Sequence, residues 1–143
     1  MPLPTYHLEP LDPAKKKLRA KPGKRAAQRS MEILRREGYI VGKVEYWSEF
    51  AGRLIDLFGF IDLVALDVAE KKIVAVQVTK DHLPEHITKI QSIPAASAWL
   101  ECGGQIVIHY WRELGKAGAK DWVLEVIAVT MDTKPPAGEP ELF

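Results

Sequence analysis

Cysteine is all but missing: Cys102 is the only one in 143 residues. No internal disulfide can form, a zinc site built from four cysteines is excluded, and a reducing cytoplasm is the expected setting. No apolar run approaches the roughly 18–20 residues of a membrane span. The first ten residues lack the charged segment and apolar stretch of an export signal, so none is expected. No Gly-x-Gly-x-x-Gly or P-loop pattern occurs, which leaves a nucleotide cofactor without support. Net charge is nearly absent too, at +1.

That balance hides an asymmetry. Residues 1–53 hold 12 Lys or Arg against 6 Asp or Glu, and residues 54–143 hold 8 against 13. A basic third beside an acidic remainder suits a phosphate-binding surface next to a metal-binding carboxylate site. A solvated lysine-rich tail is the plainer account. Residues 1–22 carry five prolines and the cluster Lys15, Lys16, Lys17, Arg19 and Lys21. Such a segment buries too little apolar surface to offset its ordering entropy, so a flexible basic arm is expected, with Lys24 and Arg25 just beyond it. Residues 132–143 read as a Pro-rich tail. One domain over residues 23–131 lies between them.

Within that domain, Ala27, Met31 and Leu34 fall at the spacing of one buried stripe and predict a helix over residues 24–37, closed by Gly38. Residues 39–47 read as a strand and 48–55 as a loop. Residues 57–66 form an almost unbroken apolar run, as a strand buried on both faces would, and residues 72–79 form another. The four residues Val68 to Lys71 suit a hairpin connection. Pro84 opens a helix that kinks or restarts at Pro94 and stops at Gly103 and Gly104. Strands over 105–112 and 122–130 complete the order α-β-β-β-α-β-β. A hairpin joins antiparallel strands and a helical crossover joins parallel ones, so an α/β fold with a mixed sheet flanked by helices is expected.

Two polar residues interrupt the apolar runs. Asp62 stands within residues 58–66 and Gln77 within 73–78. An unpaired buried carboxylate costs several kcal/mol, so Asp62 needs a reason to be there. With Asp67 opposite Lys72, counting back along the hairpin puts Asp62 opposite Gln77, on one face of the sheet and near enough to share a hard cation.

The stretch Gly59-Phe60-Ile61-Asp62-Leu63-Val64-Ala65-Leu66, followed by Val76-Gln77-Val78-Thr79-Lys80, resembles the core of PD-(D/E)XK nucleases, in particular the VRR-type and Holliday-junction-resolvase-like branches. The resemblance implies a restriction-endonuclease-like fold and hydrolysis of phosphodiester bonds in DNA with Mg²⁺ or Mn²⁺. It places the metal on Asp62, Gln77, the Val78 carbonyl and, from the first helix, Glu32. It gives Lys80, or else Lys89 on the following helix, the part of the lysine that polarises the attacking water, the third alternative being that no lysine fills it. The motif departs from the family pattern at two points. Gln77 replaces an acidic residue, and Thr79 occupies the expected lysine position, because i and i+2 share a face in a strand. The arm, Lys24, Arg25 and Arg53 are the expected nucleic-acid contacts, with a homodimer as a further expectation.

Plainer readings stand beside these. Asp62 could be a structural carboxylate paired with Arg53, Gln77 a core amide, and Glu32 a surface residue. Asp56 and Glu45 are accessory candidates, and Thr79 could contact metal-bound water or merely favour a strand. His82 and His86 are four apart, but Pro84 between them argues against a shared helical face. His7 and His109 have no evident partners. Trp47 could stack on a base, whereas Trp99, Trp111 and Trp122 read as core or sheet-edge residues. The alternatives to an enzyme are a nuclease-fold binding module that has lost activity, or a subunit of a larger, phage-like DNA-processing assembly.

Overall fold

The computed structural model describes residues 17–18, 25–114 and 121–136. Most of the basic arm, with Lys15, Lys16, Arg19, Lys21 and Lys24, and the last seven residues of the tail lie outside them. Strands β1 (Lys17–Leu18), β2 (Ile40–Lys43), β5 (Leu63–Asp67), β6 (Lys72–Thr79), β7 (Gln105–Leu114) and β8 (Asp121–Val129) form one mixed sheet in the order β1-β8-β7-β6-β5-β2. Strands β3 (Tyr46–Ser48) and β4 (Arg53–Ile55) pair only with each other. Helix α1 (Ala26–Arg36) covers one face of the sheet, and α2 (Leu83–Ser92) and α3 (Pro94–Glu101) cover the other. The fold is α/β, as the alternation of patterns implies. Among the described residues no helix is long and apolar enough to cross a membrane.

The crossover logic holds in detail. β5 and β6 are antiparallel with Asp67 opposite Lys72, while β6 and β7, joined through α2 and α3, are parallel. Alternation along β6 splits the core. Val74 and Val76 pack beneath α1 with Leu63, Val107 and Leu34, and Ala75 packs beneath α2 and α3 with Ile87, Ile106 and Ile108. The break at Pro94 separates two helices, with Ile93 extended between them, because proline cannot donate the helical bond that would continue α2. Gly38 ends α1 with φ 97°, its N–H bonded to the Arg35 carbonyl and that of Tyr39 to the Leu34 carbonyl. This double closure favours glycine at the left-handed position.

Three expected boundaries shift. The strand predicted over 39–47 is two strands, because the chain turns at Val44 and Glu45. The segment expected as a loop, 48–55, is the turn and second strand of the β3–β4 hairpin, closed by Gly52 N–H on the Ser48 carbonyl at 2.7 Å. The apolar run from Leu57 is not strand until Leu63. Residues Leu57 to Ile61 curl into a tight turn, with Phe58 and Gly59 both at positive φ and the Ile61 N–H returning 3.0 Å to the Leu57 carbonyl. Phe60 and Ile61 are buried there against α2 and α3, so burial rather than extension explains the apolar run. Described residues in both predicted tail segments also bond to the domain. Lys17 and Leu18 pair with Val123 and Trp122 on β8, and the Gln91 amide donates to the Thr130 and Thr133 carbonyls, holding the start of the tail on α2.

Candidate metal centre

Asp62 sits one residue before β5, in the step where the antiparallel ladder would place it opposite Gln77. It is 6% exposed and Gln77 5%. The Gln77 Nε2 donates to Asp62 Oδ2 at 3.0 Å, and the Val78 backbone N–H donates to the same oxygen at 2.8 Å. The cross-strand pair expected from counting is therefore present. Gln77 follows Ala75 on the face covered by α2, so the pair lies on that side of the sheet.

Two more carboxylates complete the site. Oxygens of Glu45, Asp56 and Asp62 lie within 4.8 Å of one another. The β3–β4 hairpin brings them there. Tyr46 pairs with Ile55, so the next residues outward, Glu45 and Asp56, stand at the hairpin's root. The site is thus made where a hairpin stem, a tight turn and the ends of two central strands meet.

Three carboxylates this close cannot all ionise cheaply. Burial, a hydrogen bond with Asp56, and the nearby charges of Asp56 and Glu45 push the Asp62 pKa up to about 8, against the opposing pull of the Val78 N–H. That direction favours a protonated Asp62 carboxyl. Acceptors are in surplus, and the Gln77 Oε1 adds another, since it is buried without a hydrogen-bond partner. An all-oxygen set of carboxylates with a spare amide oxygen is the donor set of a hard divalent cation, and it excludes the soft ligands that thiophilic metals favour. These groups could hold a metal ion.

The remaining residues divide. Lys43 lies 3.5 Å from Glu45, which makes it the described cation paired directly with the cluster. Lys80 lies on the opposite side of the sheet, its ammonium 5.9 Å from the centroid of the Trp122 ring. Lys89 is exposed on α2 and lines a surface depression with Pro84, Glu85 and Thr88. Neither lysine pairs with the three carboxylates. Glu32, on α1, is outside the cluster. What Val78 presents to Asp62 is its N–H. Arg53 is exposed on β4 with no ion pair to Asp62, and Arg25 is exposed before α1. The Lys17 backbone pairs with β8.

Thr79 and His86 extend the polar row. The Thr79 hydroxyl donates to the Asp81 carbonyl at 2.7 Å and lies 3.0 Å from His86 Nε2. With its proton engaged at Asp81, Thr79 accepts from an Nε2–H, which leaves His86 Nδ1 as a bare buried lone pair. Burial first, then Lys89, keeps the His86 pKa below its usual value. His82 caps α2 from a left-handed conformation and shares no helical face with His86. Sequence reasoning rightly set His82 and His86 apart but gave His86 no partner, and it treated Glu45 and Asp56 as accessory because residues 48–55, the turn and second strand of the hairpin that unites them, were read as a loop. The sole signal for that hairpin was the strand character of Tyr46-Trp47 and Leu54-Ile55.

Comparison of the sequence with models of known protein families and with curated proteins found no match.

Proposed function

We propose that this protein is a metal-dependent phosphodiesterase acting on nucleic acid, DNA being the expected substrate, with its centre at Asp62, Asp56 and Glu45. One observation carries the reading: oxygens of three carboxylates lie within 4.8 Å of one another, the most buried of them fixed by Gln77 Nε2 and the Val78 N–H, beside an amide oxygen that has no donor. Such a set is frustrated alone and satisfied by a divalent cation. Mg²⁺ or Mn²⁺ fits the oxygen donors, and when bound it would neutralise charge on a phosphate oxygen and acidify a water.

The chain's own residues do the rest. Val78 N–H and the Gln77 amide fix the Asp62 oxygen, so the carboxyl needs no reorientation on binding. Glu45 and Asp56 hold their places through the hairpin register. Lys43 sets an ammonium beside Glu45 and is better placed than Lys80 or Lys89 to meet a phosphate oxygen. The resemblance to PD-(D/E)XK nucleases supports the same chemistry, through the cross-strand placement of Asp62 and Gln77.

The test is Mg²⁺- or Mn²⁺-dependent cleavage of labelled single-stranded, duplex and branched DNA. Activity is expected for the wild type and absent for Asp62→Ala, with an unchanged circular dichroism spectrum. Equal cleavage by the two proteins contradicts the reading. A second reading, a binding module that no longer cuts, is favoured by the neutral Gln77 and by Lys80 resting on Trp122. It predicts DNA affinity that falls steeply with salt and no cleavage with any divalent ion.

A further inference from the structure

We propose that the β3–β4 hairpin is a stacking arm for unpaired bases, so that the substrate is single-stranded or locally unwound nucleic acid. This rests on the phosphodiesterase reading of the carboxylate cluster.

The hairpin pairs with no strand of the main sheet. Tyr46 and Trp47 are adjacent in β3, so they point to opposite faces of the ribbon, yet they are 56% and 60% exposed. Both faces are more open than covered at those positions. Phe50, in the turn, is fully exposed, and Phe58, just past the hairpin's root, is 56% exposed and held at φ 56°. A left-handed phenylalanine costs about 1–2 kcal/mol and gains little from burial here. A free two-stranded ribbon is itself marginal. Folding accounts for neither the aromatics nor their placement.

Their position relative to the cluster names the occupant. The hairpin springs from Glu45 and Asp56, two of the three carboxylates. A strand whose phosphate sits at the cluster lies at the root of the hairpin, whose three-residue strands span about 10 Å at the rise of a β-strand. Aromatic rings at such a site present flat faces to bases that are free to unstack, and a closed duplex hides those faces. The hairpin carries one exposed acid, Glu49, and one exposed base, Arg53, so its contribution is stacking and not counterion release.

The experiment measures anisotropy of a labelled oligothymidine and of a labelled duplex against the full chain, in Ca²⁺ and at several salt concentrations. Proteins compared are the wild type, Trp47→Ala/Phe50→Ala and the ring-keeping Trp47→Phe. The wild type is expected to prefer the single strand. The double alanine variant should lose about tenfold or more in single-strand affinity, Trp47→Phe much less, and the slope of affinity against salt should not change. Unchanged single-strand affinity, an equal loss on duplex, or a changed salt slope overturns the arm. So does concentration-dependent self-association that the double variant abolishes, since the hairpin would then serve a second copy of the chain. If Asp62→Ala abolishes cleavage while the double variant binds like the wild type, the arm fails and the phosphodiesterase reading stands. If single strands stack on the hairpin but no divalent ion supports cleavage, the arm stands and that reading falls.

Discussion

Two buried polar clusters sit on opposite faces of one sheet and solve the burial problem differently. Beneath α1, the Ser30 hydroxyl lies 2.8 Å from His109 Nδ1 and accepts from Trp111 Nε1 at 2.9 Å. All three residues are buried and uncharged, burial pushing the His109 pKa down to about 3. Arg29 caps the cluster by lying over the rings of Trp111 and Trp122, 5.2 and 4.7 Å from their centroids. One ring nitrogen, His109 Nε2, is buried without a partner, but no two like charges meet there. On the α2 face, Asp62, Asp56 and Glu45 put carboxylate against carboxylate, and Gln77 supplies only part of the missing donors. The first cluster is neutral apart from the guanidinium on its rim, whereas the second sets acids against one another, an arrangement that could hold a metal ion.

The contrast can be broken from either side. The largest effect is expected from Asp62→Ala, which should reduce metal-dependent cleavage to the metal-free level in a gel assay while leaving the His109 cluster intact. Ser30→Ala should do the reverse. It strands two buried ring nitrogens, costs roughly 2–4 kcal/mol, and lowers the melting temperature by several degrees with metal affinity unchanged.

A smaller and opposite effect is expected from Asp62→Asn, which mimics the protonated carboxyl. Because the folded pKa of Asp62 is raised to about 8, the unfolded chain gives up that proton first. Stability from this group is complete below the unfolded value near 4 and drains away as pH rises towards 8. His109 works in the other direction: its folded pKa is depressed to about 3, so its contribution is complete above the unfolded value near 6.5 and falls as pH drops. Towards pH 8 the His109 contribution is already complete, so the slope that remains of these two is that of Asp62. The asparagine variant should flatten it and melt higher than the metal-free wild type by a few degrees at pH 8, a gain of about 1–2 kcal/mol, as followed by circular dichroism. The smallest effect belongs to Lys80→Ala. Losing one exposed ring contact costs about 0.5–1 kcal/mol, and cleavage should be unchanged, which separates Lys80 from the site.

Much of the Asp62 environment was readable because a carboxylate in an apolar run is costly and a four-residue connection fixes a register. Those two constraints alone placed Asp62 beside Gln77. Glu45 and Asp56 were not readable in the same way. Their hairpin has three-residue strands, and its turn, Ser48-Glu49-Phe50-Ala51-Gly52, lacks the Asn-Gly or Asp-Gly signature of a tight connection. Once Tyr46 is known to face Ile55, the two carboxylates fall together by the same counting. The α1 face was misjudged for a related reason. Ala27, Met31 and Leu34 were the expected stripe, but Arg29 and Ser30 are buried with Leu34, because a guanidinium over two indoles and a bonded hydroxyl make polar residues behave as core. Hydrophobic periodicity cannot register a partner that is 80 residues away in the chain.

The central claim is that the carboxylate cluster is completed by a hard cation. Calorimetric titration of the metal-free protein with Mn²⁺ at pH 7, in two buffers of different ionisation enthalpy, tests it most directly. The account predicts saturable binding at one site, with release of a proton from the Asp62 carboxyl, and loss of both signals in Asp62→Ala. Absence of binding, or binding that survives in the variant without proton release, contradicts it.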